Sequence, residues 1–261
     1  MKHFFLLFIL LAGNICNAQL KFETESEISI WADVYCGSDN LGFYYGIRQG
    51  NTFFKVKDGK FTEYQNVSLG KITRVDLQNP LKILLFYGNF NSAVLLDNQL
   101  NEVQRISFSA LPEPLTVAAC GTASQNRLWV YDSVSQKLIL FDYLNNTLKD
   151  IAPPLQGNIR IYGTDYNTFQ WIDEHNNWFE CNIYGKIAPV AEVPDFDDGQ
   201  LSDNALFAYR KKNKISIFDS RTAKSYLFEN NGVLPKSFFL KDQILSIFTG
   251  PEIINYKISL P

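Results

Sequence analysis

Past residue 19 the apolar positions fall in short runs, often alternating with polar ones, and the runs end at Gly, Asn, Asp or Pro. None keeps an apolar period of 3.6 over three turns, so the pattern predicts many short β-strands and only stray helical turns. One form recurs: Asn126 to Asp132 (NRLWVYD), Asn167 to Asp173 (NTFQWID), Asn213 to Asp219 (NKISIFD) and, more loosely, Asn91 to Asp97 (NSAVLLD). Each opens with Asn, closes with Asp and encloses mostly β-branched, aromatic or aliphatic residues, which predicts a buried strand entering a tight turn. The closing Asp residues are 35, 41 and 46 residues apart. That spacing fits propeller blades, and a β-sandwich imposes no such period.

Sorting the strands by this repeat gives an all-β chain of six four-stranded blades. The first blade takes Trp31 to Cys36, Gly42 to Ile47, Thr52 to Lys57 and Phe61 to Asn66. The next four run from Ile72 to Phe108, Leu115 to Ile151, Ile159 to Val193 and about Gln200 to Glu229. The stretch from Ser237 to Leu260 holds only three strands, near Phe238, Ile247 and Tyr256. An incomplete blade would leave unpaired edges in the ring, so the segment Leu20 to Ile30 is expected to supply the missing outer strand and close it. Joints between blades are placed at Pro112 and Pro114, Pro153 and Pro154, Pro194, and Pro235, because proline cannot donate to a strand ladder.

The units NRLWVYD and NKISIFD, each followed by a second strand (KLILFD from Lys137, KSYLFE from Lys224), resemble paired strands of bacterial envelope propellers of the WD40-like, NHL-like and quinoprotein-like groups. The resemblance spans most of the chain at the level of fold. It implies no catalytic residue, since the chain has neither a Gly-His with Trp-Asp signature nor a tryptophan-docking repeat.

Residues 1–18 have a secretory layout: Lys2, an unbroken apolar run from Phe4 to Ala12, then a polar stretch ending Cys16, Asn17, Ala18. Cleavage is expected before Gln19. At about 1.5 Å per residue the apolar run is too short for a hydrocarbon core about 30 Å thick. Ile15, in place of a small residue before Cys16, argues against lipid attachment. The expectation is an exported chain, periplasmic or extracellular, monomeric, with residues 19–261 forming one propeller domain and no transmembrane segment.

Composition narrows the chemistry. With 24 Lys and Arg against 27 Asp and Glu, the chain offers no basic face for nucleic acid. The densest basic cluster, Arg210 to Lys212, is expected to be a solvated hairpin turn. Cys36, Cys120 and Cys181, the cysteines beyond the leader, form no disulfide framework, although one bond is open to them. His3 lies in the leader, so His175 alone would serve any imidazole chemistry, and its polar setting predicts a solvated turn. Neither a Gly-x-Ser-x-Gly elbow nor a phosphate or dinucleotide loop occurs, so no cofactor is expected. Asp195, Asp197 and Asp198 before Gly199 offer oxygen ligands to calcium but lack the further spaced ligands of a full loop, and a solvated inter-blade loop is the simpler reading.

Charged residues on inner strands are the better candidates for a site. Arg74 and Asp76 (KITRVD) and Arg160 with Tyr162 (NIRIYG) fall on the first strands of blades two and four. They read as an ion-paired channel lining or as an anion or carbohydrate site at the channel mouth. The function expected is a non-enzymatic interaction module binding an envelope protein or glycan. The alternative is a propeller hydrolase or lyase acting on a sugar or lactone through carboxylates and a metal.

Overall fold

The computed structural model describes residues 21–259 except 203, 230 and 231; the expected leader, its expected cleavage site before Gln19, and Leu20 lie outside the described residues. The first strand, β1 (Lys21–Ser29), belongs to the last blade. Blade one is β2 (Val34–Ser38), β3 (Tyr44–Arg48), β4 (Thr52–Lys57) and β5 (Lys60–Tyr64). Blade two is β6 (Arg74–Asp76), β7 (Ile83–Tyr87), β8 (Ser92–Leu96) and β9 (Glu102–Ser107). Blade three is β10 (Val117–Ala123), β11 (Arg127–Asp132), β12 (Lys137–Asp142) and β13 (Thr147–Asp150). Blade four is β14 (Ile159–Thr164), β15 (Thr168–Asp173), β16 (Asn177–Asn182) and β17 (Ile187–Glu192). Blade five is β18 (Asp198–Ser202), β19 (Leu206–Lys211), β20 (Lys214–Asp219) and β21 (Lys224–Leu227). Blade six is β22 (Ser237–Lys241), β23 (Ile244–Phe248) and β24 (Glu252–Ser259), completed on its outer edge by β1.

Closure follows the expected route: β1 pairs antiparallel with β24 from Lys21 opposite Ser259 to Ser29 opposite Glu252, with one irregularity between Thr24 and Ser26. The six-blade β-propeller is also visible in the core, which divides into six clusters, one between each pair of adjacent blades. Strand alternation explains the division. In β11, Leu128 and Val130 pack toward blade two while Trp129 and Tyr131 pack toward blade four, so both faces of a central strand are buried and its sequence reads as an almost continuous apolar run. The sixth cluster joins Ile30, Phe248 and Ile253 of the last blade to Tyr35 and Phe54 of the first.

The Asn-to-Asp unit turns out not to mark a fixed place in the blade. It is the second strand in blades three and four (β11, β15) and the third in blades two and five (β8, β20). Its uneven spacing of 35, 41 and 46 residues therefore mixes two positions. The first residues of the inner strands β2, β6, β10, β14, β18 and β22 are separated by 40, 43, 42, 39 and 39 residues, which is the true period. The unit recurs because of turn chemistry. Asn91, Asn126 and Asn213 open it at φ of 48°, 58° and 65°, a left-handed conformation that Asn tolerates better than most residues. The closing Asp caps the next turn: Asp173 accepts from the backbone of His175 and Asn177, and Asp97 from that of Gln99 and Asn101.

The proline joints fall between blades as expected. Pro189 is different, lying within β17, but that strand is the outer edge of blade four and its ladder shifts register there. Among the described residues no helix is long and apolar enough to cross a membrane.

Candidate functional site

The inner strands β6, β10 and β14 are pinned together on one side of the channel. Arg74 Nη1 donates to the Tyr162 carbonyl at 3.2 Å, and the Arg74 guanidinium lies over the Tyr162 ring, 4.1 Å from its centroid. Asp76 Oδ2 accepts from the Thr122 backbone at 2.7 Å and from the Thr164 hydroxyl at 3.3 Å, while Oδ1 accepts from the Gln78 backbone at 2.8 Å. The Tyr162 hydroxyl accepts from the Cys120 amide at 3.1 Å and donates to the Cys120 carbonyl at 3.3 Å. Burial raises the Tyr162 phenol above its ordinary value, and Arg74 partly offsets this. Blades two and four thus meet across blade three. Gly121 makes that approach possible, because a Cβ there would sit 2.1 Å from the Thr164 hydroxyl.

Three of the four expected channel residues, Arg74, Asp76 and Tyr162, are brought together in this way. Arg160 is not among them. Its side chain turns outward to Asn176 and to the Phe196 carbonyl at 2.8 Å, with the guanidinium 3.9 Å from the Phe196 ring centroid. It is the second residue of β14 and Tyr162 the fourth, so the two occupy different depths.

A cavity of about 270 Å³ lies toward the carboxyl ends of β6, β14, β18 and β22. Arg74 borders it and also a cavity of about 470 Å³ at the amino ends of β2 and β6. Tyr162 borders it and a third cavity of about 290 Å³ beside blade three. The Arg74 and Tyr162 pair is therefore a partition between the first cavity and the other two. On the open side, Gln200 exchanges two hydrogen bonds with the Leu240 backbone and Ser202 donates a third to it, which ties blade five to blade six.

Sequence reasoning missed Lys241, Thr122, Thr164 and Gln200. A signal was present: five of the six inner strands end in a polar residue, Ser38, Asp76, Thr164, Ser202 and Lys241, and β10 carries Thr122 next to its end.

The acidic and basic clusters, read separately in the sequence, neutralise each other. Lys211 lies 2.7 Å from Asp195 and 2.9 Å from Asp197, Arg210 lies 2.8 Å from Asp198, and Asp197 accepts from the Lys212 backbone at 2.8 Å. Asp198 also departs from the loop reading, because it begins β18 opposite Arg210. Register brings the clusters together: β18 and β19 are antiparallel neighbours, so the entry to one lies beside the exit from the other. Their carboxylates are committed to cations. Among the described residues no group of three His, Cys, Asp or Glu is placed to hold a metal.

His175 is in the turn between β15 and β16, its side chain 76% exposed. The three thiols are free, and burial pushes Cys36 up to about 12 and Cys181 up to about 11. Cys120 is fully buried and shifted up for the same reason.

No protein-family model matches the sequence, and no curated protein matches it. Solved structures do. A streptogramin B lyase superposes over 92% of this chain and 97% of its own, with a TM-score of 0.57 and 14% identity. A DUF4221 member from Bacteroides vulgatus superposes over 94% and 99%, at 0.60 and 9%. The β-propeller domain of Cps50 (Swd1) from Myceliophteria thermophila does so over 92% and 100%, at 0.58 and 10%. Likeness at such identities is a likeness of backbone. It agrees with the strand order and the six inter-blade cores: the chain is a six-bladed β-propeller.

Proposed function

We propose that this propeller is exported and works without catalysis, as a protein-binding module of the cell envelope. The observation that carries the reading is the partitioned channel. Where propeller enzymes need a free acid, base or metal, the one acidic residue among the described lining of this cavity, Asp76, already accepts three hydrogen bonds, and Arg74 is stacked on Tyr162. Function then falls to the faces. On the face formed by the inter-blade connections and the turns from second to third strands, Trp31, Val67, Phe90, Val134 and Leu234 stand exposed, Trp31 at 68%. Trp31 borders a hollow of about 330 Å³ with Arg48, Lys236 and Pro251. An exposed Trp beside Arg is the composition of a binding hot spot.

A lyase reading has the streptogramin B lyase likeness in its favour. One solved relative of that kind is a catalytically inactive histidine-to-alanine variant of virginiamycin B lyase from Staphylococcus aureus. Here the described histidine is His175, exposed in a turn and absent from the inner strands, which counts against carrying that chemistry over.

The test is site-specific photo-crosslinking in the native host, with the photoreactive group at position 31, 90 or, on the opposite face, 184. One discrete protein adduct from 31 and 90 and none from 184 is the expected result. Adducts to glycan alone, or turnover of a streptogramin, sugar lactone or glycoside by the purified chain, would replace the proposal. Export is checked by intact mass, which should begin at Gln19.

A further inference from the structure

We propose that the channel cavity between blades two, four, five and six binds a small organic oxyanion, a carboxylate or phosphate monoester on a compact body, held by Arg74 and Lys241. Among the described residues, Arg74, Lys241 and Asp76 are the charged ones lining the cavity. Asp76 is spent on the Gln78 and Thr122 amides and the Thr164 hydroxyl, and among the described residues neither Arg74 nor Lys241 has a carboxylate within ion-pair distance. The described wall therefore carries two cations and one saturated anion.

Unused donors point the same way. Arg74 spends Nη1 on Tyr162, but its Nε is buried and has no hydrogen-bond partner among the described residues. Among the described residues Lys241 Nζ has only the Ser38 carbonyl, at 3.5 Å. A buried donor on a charged group is costly when unmatched, and native proteins match it with protein, water or an ion. The other polar side chains of blade five offer little competition, because Gln200 and Ser202 are consumed by the Leu240 backbone. The charged groups left with spare hydrogen-bonding capacity on the described wall, Arg74 Nε and Lys241 Nζ, are donors, and a guanidinium edge suits a carboxylate or phosphate.

Size and wall character define the body of the ligand. A volume of about 270 Å³ is just under the range of drug-sized sites, about 300–1,000 Å³, so the occupant is small. Leu77, Leu201, Phe238 and Phe239 line the rest, which favours an anion with carbon skeleton over a bare inorganic ion. The partition beneath the cavity gives the ligand a floor, so it enters from the carboxyl ends of the inner strands, opposite the face that carries Trp31.

The experiment is calorimetric titration of the purified protein at low ionic strength with glucuronate, glucose 6-phosphate, glucose and inorganic phosphate. Saturable binding of glucuronate or glucose 6-phosphate, with none of glucose, is the expected result; the first assigns a carboxylate, the second a phosphate. Lys241→Gln should weaken that binding at least about tenfold and Lys241→Arg should restore most of it. Arg74→Gln should do the same, but because Arg74 also holds the partition, the Lys241 pair carries the test if that variant does not fold. Absence of saturable binding by either organic anion up to about 10 mM, equal affinity in Lys241→Gln, or binding of inorganic phosphate alone overturns the proposal. The crosslinking positions on the opposite face do not border this cavity, so either proposal can fail without the other.

Discussion

Deleting residues 19–30 removes β1 and tests closure directly. The eight register pairs of β1 with β24 are lost, and with them the Ser26 contact to Asn255 and the Phe22 ring, which meets Phe228 edge-on at 5.0 Å. At about 0.5–1.5 kcal/mol net per ladder hydrogen bond, and about one bond per pair, the loss is about 4–12 kcal/mol. A whole domain is stable by about 5–15 kcal/mol, so the truncated chain should not hold a closed ring at 25 °C. Ile30→Ala is the graded version. Ile30 is 4% exposed in the cluster that joins blade six to blade one, so its truncation should cost about 2–5 kcal/mol. For a chain of this size that lowers Tm by about 4–20 °C. The assay is thermal melting by near-ultraviolet circular dichroism together with size-exclusion chromatography. If the deletion variant melts within a degree or two of the parent and stays monomeric, β1 does not close the ring and the reasoning fails.

Other outcomes follow from single sites. His175→Ala should change stability by no more than about 0.5 kcal/mol in a chemical denaturation curve, since the residue is an exposed turn position; a larger loss would expose a missed role. Asp76→Asn should destabilise by about 1–3 kcal/mol in the same assay, because an amide cannot accept from Gln78, Thr122 and Thr164 as the carboxylate does; an unchanged midpoint would show that the partition is not a structural unit. Acid should unfold the ring through its turn carboxylates. Burial pushes Asp132 and Asp173 up, but donors from Ser135 and Thr116, and from Asn177 and His175, outweigh it, while Arg221 is the main cause of the lowering at Asp219. A folded pKa below the unfolded value gives stability that is present above about pH 4 and lost as pH falls through the folded pKa, so a Tm that rises on acidification below about pH 4 would contradict this assignment. Finally, Cys120 and Cys181 should resist a maleimide at neutral pH until the chain is unfolded, as read by mass shift; rapid native labelling would place them at the surface.

Local physics made the strands, the blade boundaries and the closing segment legible in the sequence. A period of two and turn residues such as Asn126 and Asp132 act over a few positions, and a surplus outer strand at residues 21–29 has only one incomplete blade to join. The same locality explains the uneven repeat, since an Asn-to-Asp strand forms equally well as the second or the third of its blade. Placing Arg74, Asp76 and Tyr162 on inner strands was likewise a matter of counting strands. Their meeting was not, because Arg74 and Tyr162 are 88 residues apart and touch only when the ring brings blade four across blade three. Nor could alternation tell that Arg160 would turn to Phe196, that Asp195, Asp197 and Asp198 would face Arg210 and Lys211, or that Lys241 would share a cavity with Arg74. Alternation decides which face of a strand a residue occupies. Which partner waits there is decided by register and by the packing of six blades around one axis.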